Sequence, residues 1–262
     1  MRTTTTILSA LALAAAASAQ AADLQPPEPA PVPAEVIDTP GWRAQLTAYA
    51  WLPSLDGTIA LGDGLPVFHE SMSRSDILKD LNGAFFLNGS LRRDRFVILG
   101  DFTWSSVSKD GILPTPIGNL GIEGKVDALF VTALAGYSVI EQPAFTLDLA
   151  GGARAWRLKA SVDVAALDFR GSKTNSWVEP VIAARARWQF APDWSLIGYV
   201  DAGGFDIGKS RTWQLYGTVN YRVNDQFYVS AGWRHLSLRY RDGSQSIDTD
   251  LSGPLIGATY RF

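Results

Sequence analysis

From Trp42 to the last residue, apolar and polar side chains alternate along this chain. In residues 42–52, Trp42, Ala44, Leu46, Ala48, Ala50 and Leu52 share one parity, opposed by Arg43, Gln45, Thr47, Tyr49 and Trp51. The pattern recurs in 84–93, 95–106, 145–156, 177–190, 194–206, 212–223 and 227–235. A period of two puts successive side chains on opposite faces of a β-strand. Residues 124–140 are also strand-like, but Lys125 and Asp127 share the parity of Tyr137 and both faces are rich in apolar groups. That conflict predicts a register shift at a bulge. With the closing stretch LIGATYRF, the alternation predicts about ten antiparallel strands, with eight or twelve as the neighbouring counts.

The connections differ in kind. Short polar ones fall at Arg93-Asp94, Glu141-Gln142-Pro143, Ala191-Pro192-Asp193 and Asn224-Asp225-Gln226. They alternate with longer ones at 54–81, 107–123, 159–175 and 241–249, the segment 207–211 being the short exception. Short turns on one rim and long loops on the other is the layout of an up-and-down transmembrane β-barrel. Phe96, Phe145, Phe190, Trp194, Tyr221 and Phe227 flank the short turns, where a bilayer would collect them into an interfacial aromatic belt.

The rival is a soluble sandwich or a lipocalin-like barrel, whose apolar face points inward. Two features favour the membrane. The polar face carries charges in mid-strand: Arg92, Asp101, Asp148, Arg154, Glu179, Arg185, Arg187, Asp201 and Arg234. The apolar face is rich in Ala and Gly with aromatics at its ends, which suits fluid lipid better than a close-packed core. The nine charged residues are then expected to point into a narrow lumen and pair into a network that fills it. A narrow passive pore for small solutes is the alternative.

Composition narrows the chemistry. Nine Trp, eight Tyr, twelve Phe and 24 Gly favour sheet with tight turns. The net charge of −3 gives no electrostatic case for nucleic acid. Cys is absent and His occurs only at 69 and 235, so neither a metal site nor a cofactor is expected. Asp56, Asp63, Asp76 and Asp80 do not have calcium-loop spacing and read as solvated acids.

The first residues read as an export signal. Arg2 is followed by the apolar run Ile7–Ala17 and the small-x-small step Ala19-Gln20-Ala21. The run is too short for a membrane anchor, which needs about 20 apolar residues. The expected organisation is a signal peptide at 1–21, a Pro-rich lead-in at 22–41 and a barrel at 42–262. In 54–81, Ser73 or Ser75 is placed to cap a short helix running through Leu78 to Leu81, lying over the mouth or folded into the lumen.

The chain closes on Ile256, Ala258, Tyr260 and Phe262, all of one parity. This ending resembles the assembly signal of outer-membrane β-barrel proteins. The stretches AWLPSLDGTIAL at 50–61, RRDRFVILGDFTW at 92–104 and VSAGWRHLSLRY at 229–240 give residues 42–262 a resemblance to small opacity-like and uncharacterised outer-membrane barrels of Gram-negative bacteria. The resemblance implies the outer membrane as location, its lipids and the barrel-assembly machinery as partners, and a structural or surface-interaction role.

His235 and Ser237, two apart, share one side of a strand, and a His that deprotonates a Ser is the basis of nucleophilic hydrolysis. His-x-Ser resembles outer-membrane phospholipase A and the lipid A deacylases. Those add an orienting Asn or Glu, and the deacylases place Asn after the Ser, where this chain has Leu238. An omptin-like protease would need an acid paired with His at the rim, and neither His lies in an Asp-x-His pair. No enzymatic activity is expected. The bland reading of His235 is an amphipathic interface residue beside Trp233.

Overall fold

A computed structural model describes residues 41–60, 67–115 and 118–262. The expected signal peptide and almost all of the Pro-rich lead-in lie outside the described residues. The strands in chain order are β1 (Arg43–Trp51), β2 (Ser54–Ala60), β3 (Val67–Met72), β4 (Leu81–Arg93), β5 (Phe96–Thr115), β6 (Gly118–Glu141) and β7 (Phe145–Val164). They continue as β8 (Phe169–Ala191), β9 (Trp194–Gly203), β10 (Ser210–Arg222), β11 (Phe227–Asp242) and β12 (Gln245–Arg261), with one helix, α1 (Arg74–Asp80), before β4. β1 and β4 to β12 pair in order, all antiparallel, and β12 pairs back onto β1, which closes a ten-stranded barrel. β2 and β3 are two further strands outside the closed ring, laid on the free upper half of β12.

Closure depends on a shared edge. β12 offers Leu255–Arg261 to β1 and Ser246–Ser252 to β2, so β1 and β2 run nearly in line along it. Pro53, with no N–H to give the ladder, interrupts them. Leu52 still donates to the Pro254 carbonyl at 3.0 Å. Gly253 permits this approach: a Cβ there would lie 2.0 Å from the Leu52 oxygen.

The connections expected as long loops at 107–123 and 159–175 are mostly strand. β5 and β6 stay paired out to Thr115 and Gly118, and β7 and β8 out to Val164 and Phe169. Alternation continues in neither stretch because both faces of a wall standing clear of lipid meet water. Lys125 and Asp127 belong to this upper wall and pair with each other at 3.7 Å. The expected bulge in β6 lies between Ser138 and Ile140.

Helix α1 starts at Ser73, whose hydroxyl accepts from the Asp76 N–H while the Asp76 carboxylate accepts from the Ser73 N–H. The helix packs against β5, β2 and β3. It fills the place in the wall between β3 and β5 that β4, starting at Leu81, does not reach. It therefore neither covers the mouth nor enters the lumen. Arg74, at its start, holds its guanidinium over the Trp233 ring at 4.9 Å.

Candidate functional site

Across the middle of the barrel wall the charged parity faces inward. Asp148 and Arg154 are fully buried, and Glu179, Asp201 and Arg234 are nearly so. The other parity faces out: Ile256 is 64% exposed, Val178 69% and Ile182 59%. An exterior of this kind is not tolerated by water on such a scale, and a soluble sandwich or lipocalin-like barrel would reverse it.

The middle of the lumen is a continuous ion-pair and hydrogen-bond network. Arg154 reaches Asp201 at 2.5 Å and Glu179 at 3.6 Å, and donates to Thr132 at 2.8 Å. Glu179 also accepts from Trp156, Ser210 and Thr212. Tyr199 and Gln214 donate to Asp201, and Arg234 spans Gln214, Tyr49 and Asp101, the last at 3.3 Å. Nearer the short-turn rim, Asp148 binds Arg92 at 2.6 Å and the Ser138 hydroxyl at 2.7 Å, with Arg185 at 3.5 Å. Eight of the nine residues read as a lumen network therefore join carboxylate–guanidinium pairs. Arg187 does not: it is half-buried and, among the described residues, donates to Gln189 alone, at 3.3 Å.

Above the charges sits a layer that alternation did not reveal. Trp51, Phe86, Phe130, Trp156, Leu236, Leu238, Tyr240 and Leu255 form one buried cluster, with Trp177 packed against it. Trp156 stacks on Trp177 at 5.6 Å, and Trp177 meets Tyr240 at 4.4 Å. The two central guanidiniums lie beneath these rings, Arg234 at 4.9 Å from Trp51 and Arg154 at 5.6 Å from Phe130. The signal was present in the sequence, since Trp51, Trp156, Leu236 and Leu238 stand on the charged parity. Among the described residues the lumen holds one cavity of about 60 Å³ and another of about 10 Å³. The first has room for about four to six waters.

The outer residues lie as follows. Phe96, Phe190, Trp194, Tyr221 and Phe227 are exposed beside the short turns, with Phe145 half-buried among them. Tyr260 packs on Phe262 edge to face at 4.9 Å, both exposed, and Ile256 and Ala258 continue that outward row. The Phe262 N–H donates to the Ala44 carbonyl at 2.9 Å, so the last residue is held to β1. His235 faces outward against Trp213, ring to ring at 4.6 Å. Ser237 follows on the same side but is only 1% exposed, and among the described residues no hydrogen bond joins it to His235. Asp250 stands opposite Ser237 in the ladder and lies 3.7 Å from Arg239. Among the described residues no group of His, Asp and Glu could hold a metal ion. Asp63, one of the acids weighed for calcium, lies outside them.

Charge within, grease without and no open sheet edge across the apolar zone define the class: a transmembrane β-barrel. No protein-family model matches the chain, and no curated protein matches it in sequence. Similar solved structures include the outer membrane protease OmpT from Escherichia coli, at 13% identity and TM-score 0.47 over 86% of this chain and 98% of that one. The translocator domain of autotransporter NalP from Neisseria meningitidis aligns at 13% identity and 0.46, covering 85% and 88%. Ail, the attachment invasion locus protein of Yersinia pestis, in complex with the heparin analogue sucrose octasulfate, aligns at 12% and 0.39, covering 84% and 99%. At these identities and TM-scores the likenesses assign no role to this chain.

Proposed function

We propose that the chain is an integral barrel of the Gram-negative outer membrane whose lumen is sealed and whose work is done at its surface. The observation that carries this reading is the filled interior: two layers, one ionic and one aromatic, with cavities no larger than a few waters. A side-chain plug of this kind stiffens the wall and leaves no column for solute. The upper wall then acts as a platform. It holds the β2–β3 hairpin, α1 and the paired extensions of β5–β6 and β7–β8 clear of the bilayer. Short turns and the C-terminus share the opposite rim, which suits periplasmic termini and recognition of the Tyr260–Phe262 edge by the assembly machinery. Outer-membrane lipid covers the outward apolar band.

Planar-bilayer recording tests the sealed lumen. Folded protein is expected to insert without stepwise conductance. Stable unitary steps that Arg154→Ala or Trp177→Ala enlarge would instead support the narrow pore. Hydrolysis is not part of this proposal: a serine that is 1% exposed offers no nucleophile to an acyl ester, and His235 packs on Trp213. Phospholipid or lipid A deacylation that Ser237→Ala abolishes would reverse that judgement.

A further inference from the structure

The lumen charges are not evenly matched along the barrel axis. In the upper half, Arg154 and Arg234 face three carboxylates, Asp101, Glu179 and Asp201. Towards the short-turn rim the balance reverses. Arg92, Arg185, Arg187 and Arg261 face inward there; among the described residues Asp148 pairs with Arg92 and Arg185, and neither Arg187 nor Arg261 has a carboxylate partner. Asp148 is saturated by Arg92, Ser138 and Arg185. Arg187 lies within electrostatic reach of Arg261, Arg185 and Arg92, yet its Nε is buried without a hydrogen-bond partner. Arg261 has the Tyr228 hydroxyl at 2.7 Å and the Tyr228 ring at 3.9 Å, both neutral.

Like charges held together in a half-buried site repel one another, and an anion that joins an uncompensated group of guanidiniums relieves that repulsion. The larger cavity adjoins this end of the lumen. Arg185 and Arg261 line it, with Tyr228, Asn220 and Thr259 supplying further polar atoms. Asp101 also lines it but is committed to Arg234. Guanidinium forks match oxyanions in geometry as well as charge. We infer that the short-turn end of the lumen binds one small oxyanion, of the phosphate or sulfate class, taken up from the solution on that side. A lipid headgroup is not the source, because these side chains face the lumen and not the bilayer.

The test uses the full barrel refolded in a nonionic detergent free of phospholipid. Equilibrium dialysis against radiolabelled inorganic phosphate at low ionic strength is expected to give saturable binding near one per barrel, displaced by sulfate. Arg187→Gln with Arg261→Gln should weaken it by about tenfold or more, the scale of losing charge-assisted hydrogen bonds. Arg211→Gln, on the outer face at the other rim, should leave it unchanged. Removing surplus cations relieves repulsion, so the double variant is expected to keep heat-modifiable migration; should it fail to fold, Arg261→Gln alone, at a residue that lines the cavity, carries the test with about threefold weakening. Absence of saturable phosphate in the wild type overturns the inference, as does binding that the folded variants retain in full.

Discussion

Asp201 illustrates how much one residue carries. Its carboxylate holds Arg154, Tyr199 and Gln214 in a space without bulk water. Removing one partner of a buried pair strands the other, at about 3–5 kcal/mol. Asp201→Ala should therefore lower the unfolding free energy of the barrel, from urea titration in detergent, by that amount, whereas a small change would mean Arg154 reaches solvent. Exposed groups act through local order instead. The Asp76 carboxyl is held below its ordinary value first by hydrogen bonds from Ser73. A depressed acid contributes above its unfolded value and loses the contribution as pH falls through the folded one. The first turn of α1 should accordingly become protease-sensitive below about pH 4 and stay protected at neutrality. Ser73→Ala should give the same sensitivity at pH 7, at a local cost of about 1 kcal/mol. On the same side of the barrel, bonding to Lys209 depresses Asp242, and the same contact raises Lys209. That clasp is present from above the ordinary carboxylate range to below the ordinary lysine range and is lost at either extreme.

At the scale of elements, the seam is the sensitive point. β12 serves β1 and β2 in turn, and Gly253 lies where they change over. Gly253→Ala would drive a Cβ into the Leu52 carbonyl, with the Pro53 Cα only 2.6 Å away. The variant should lose heat-modifiable migration, while Gly208→Ala, with nothing near its Cβ, should lose far less even though its φ is positive. The strands and the inward parity of Asp101, Asp148, Arg154 and Arg234 were legible because a barrel wall in lipid has two unlike faces. The short helix was legible from a capping serine at 73 or 75 before Leu78, but the part of Asp76 in the cap was not, since it read as a solvated acid. The extent of β5 to β8 was not, since above the bilayer no face is greasy enough to announce a strand. Nor was the aromatic layer: Trp51 was read as a polar-face neighbour, and parity does not tell which rings meet across a lumen. Arg187 shared the right face, but its lack of a carboxylate depends on distances between strands.

For the molecule as a whole, two gradients matter, grease from outside to inside and positive charge toward the short-turn rim. The first fixes the protein in a bilayer and the second belongs to the inferred anion site. The outward Tyr260–Phe262 edge belongs to the first, so Phe262→Ser should reduce assembled barrel in cells while leaving detergent refolding intact. The chain has no Cys, so single-cysteine spin labels can be placed without background. Labels at 213, 215, 217 and 219 of β10, read against 214 and 218 in liposomes, probe the orientation of the wall directly. Electron paramagnetic resonance should find the odd positions open to oxygen dissolved in lipid and shielded from a water-soluble nickel complex, and positions 214 and 218 shielded from both. Odd positions open to the nickel complex and closed to oxygen would contradict the orientation on which the whole account stands.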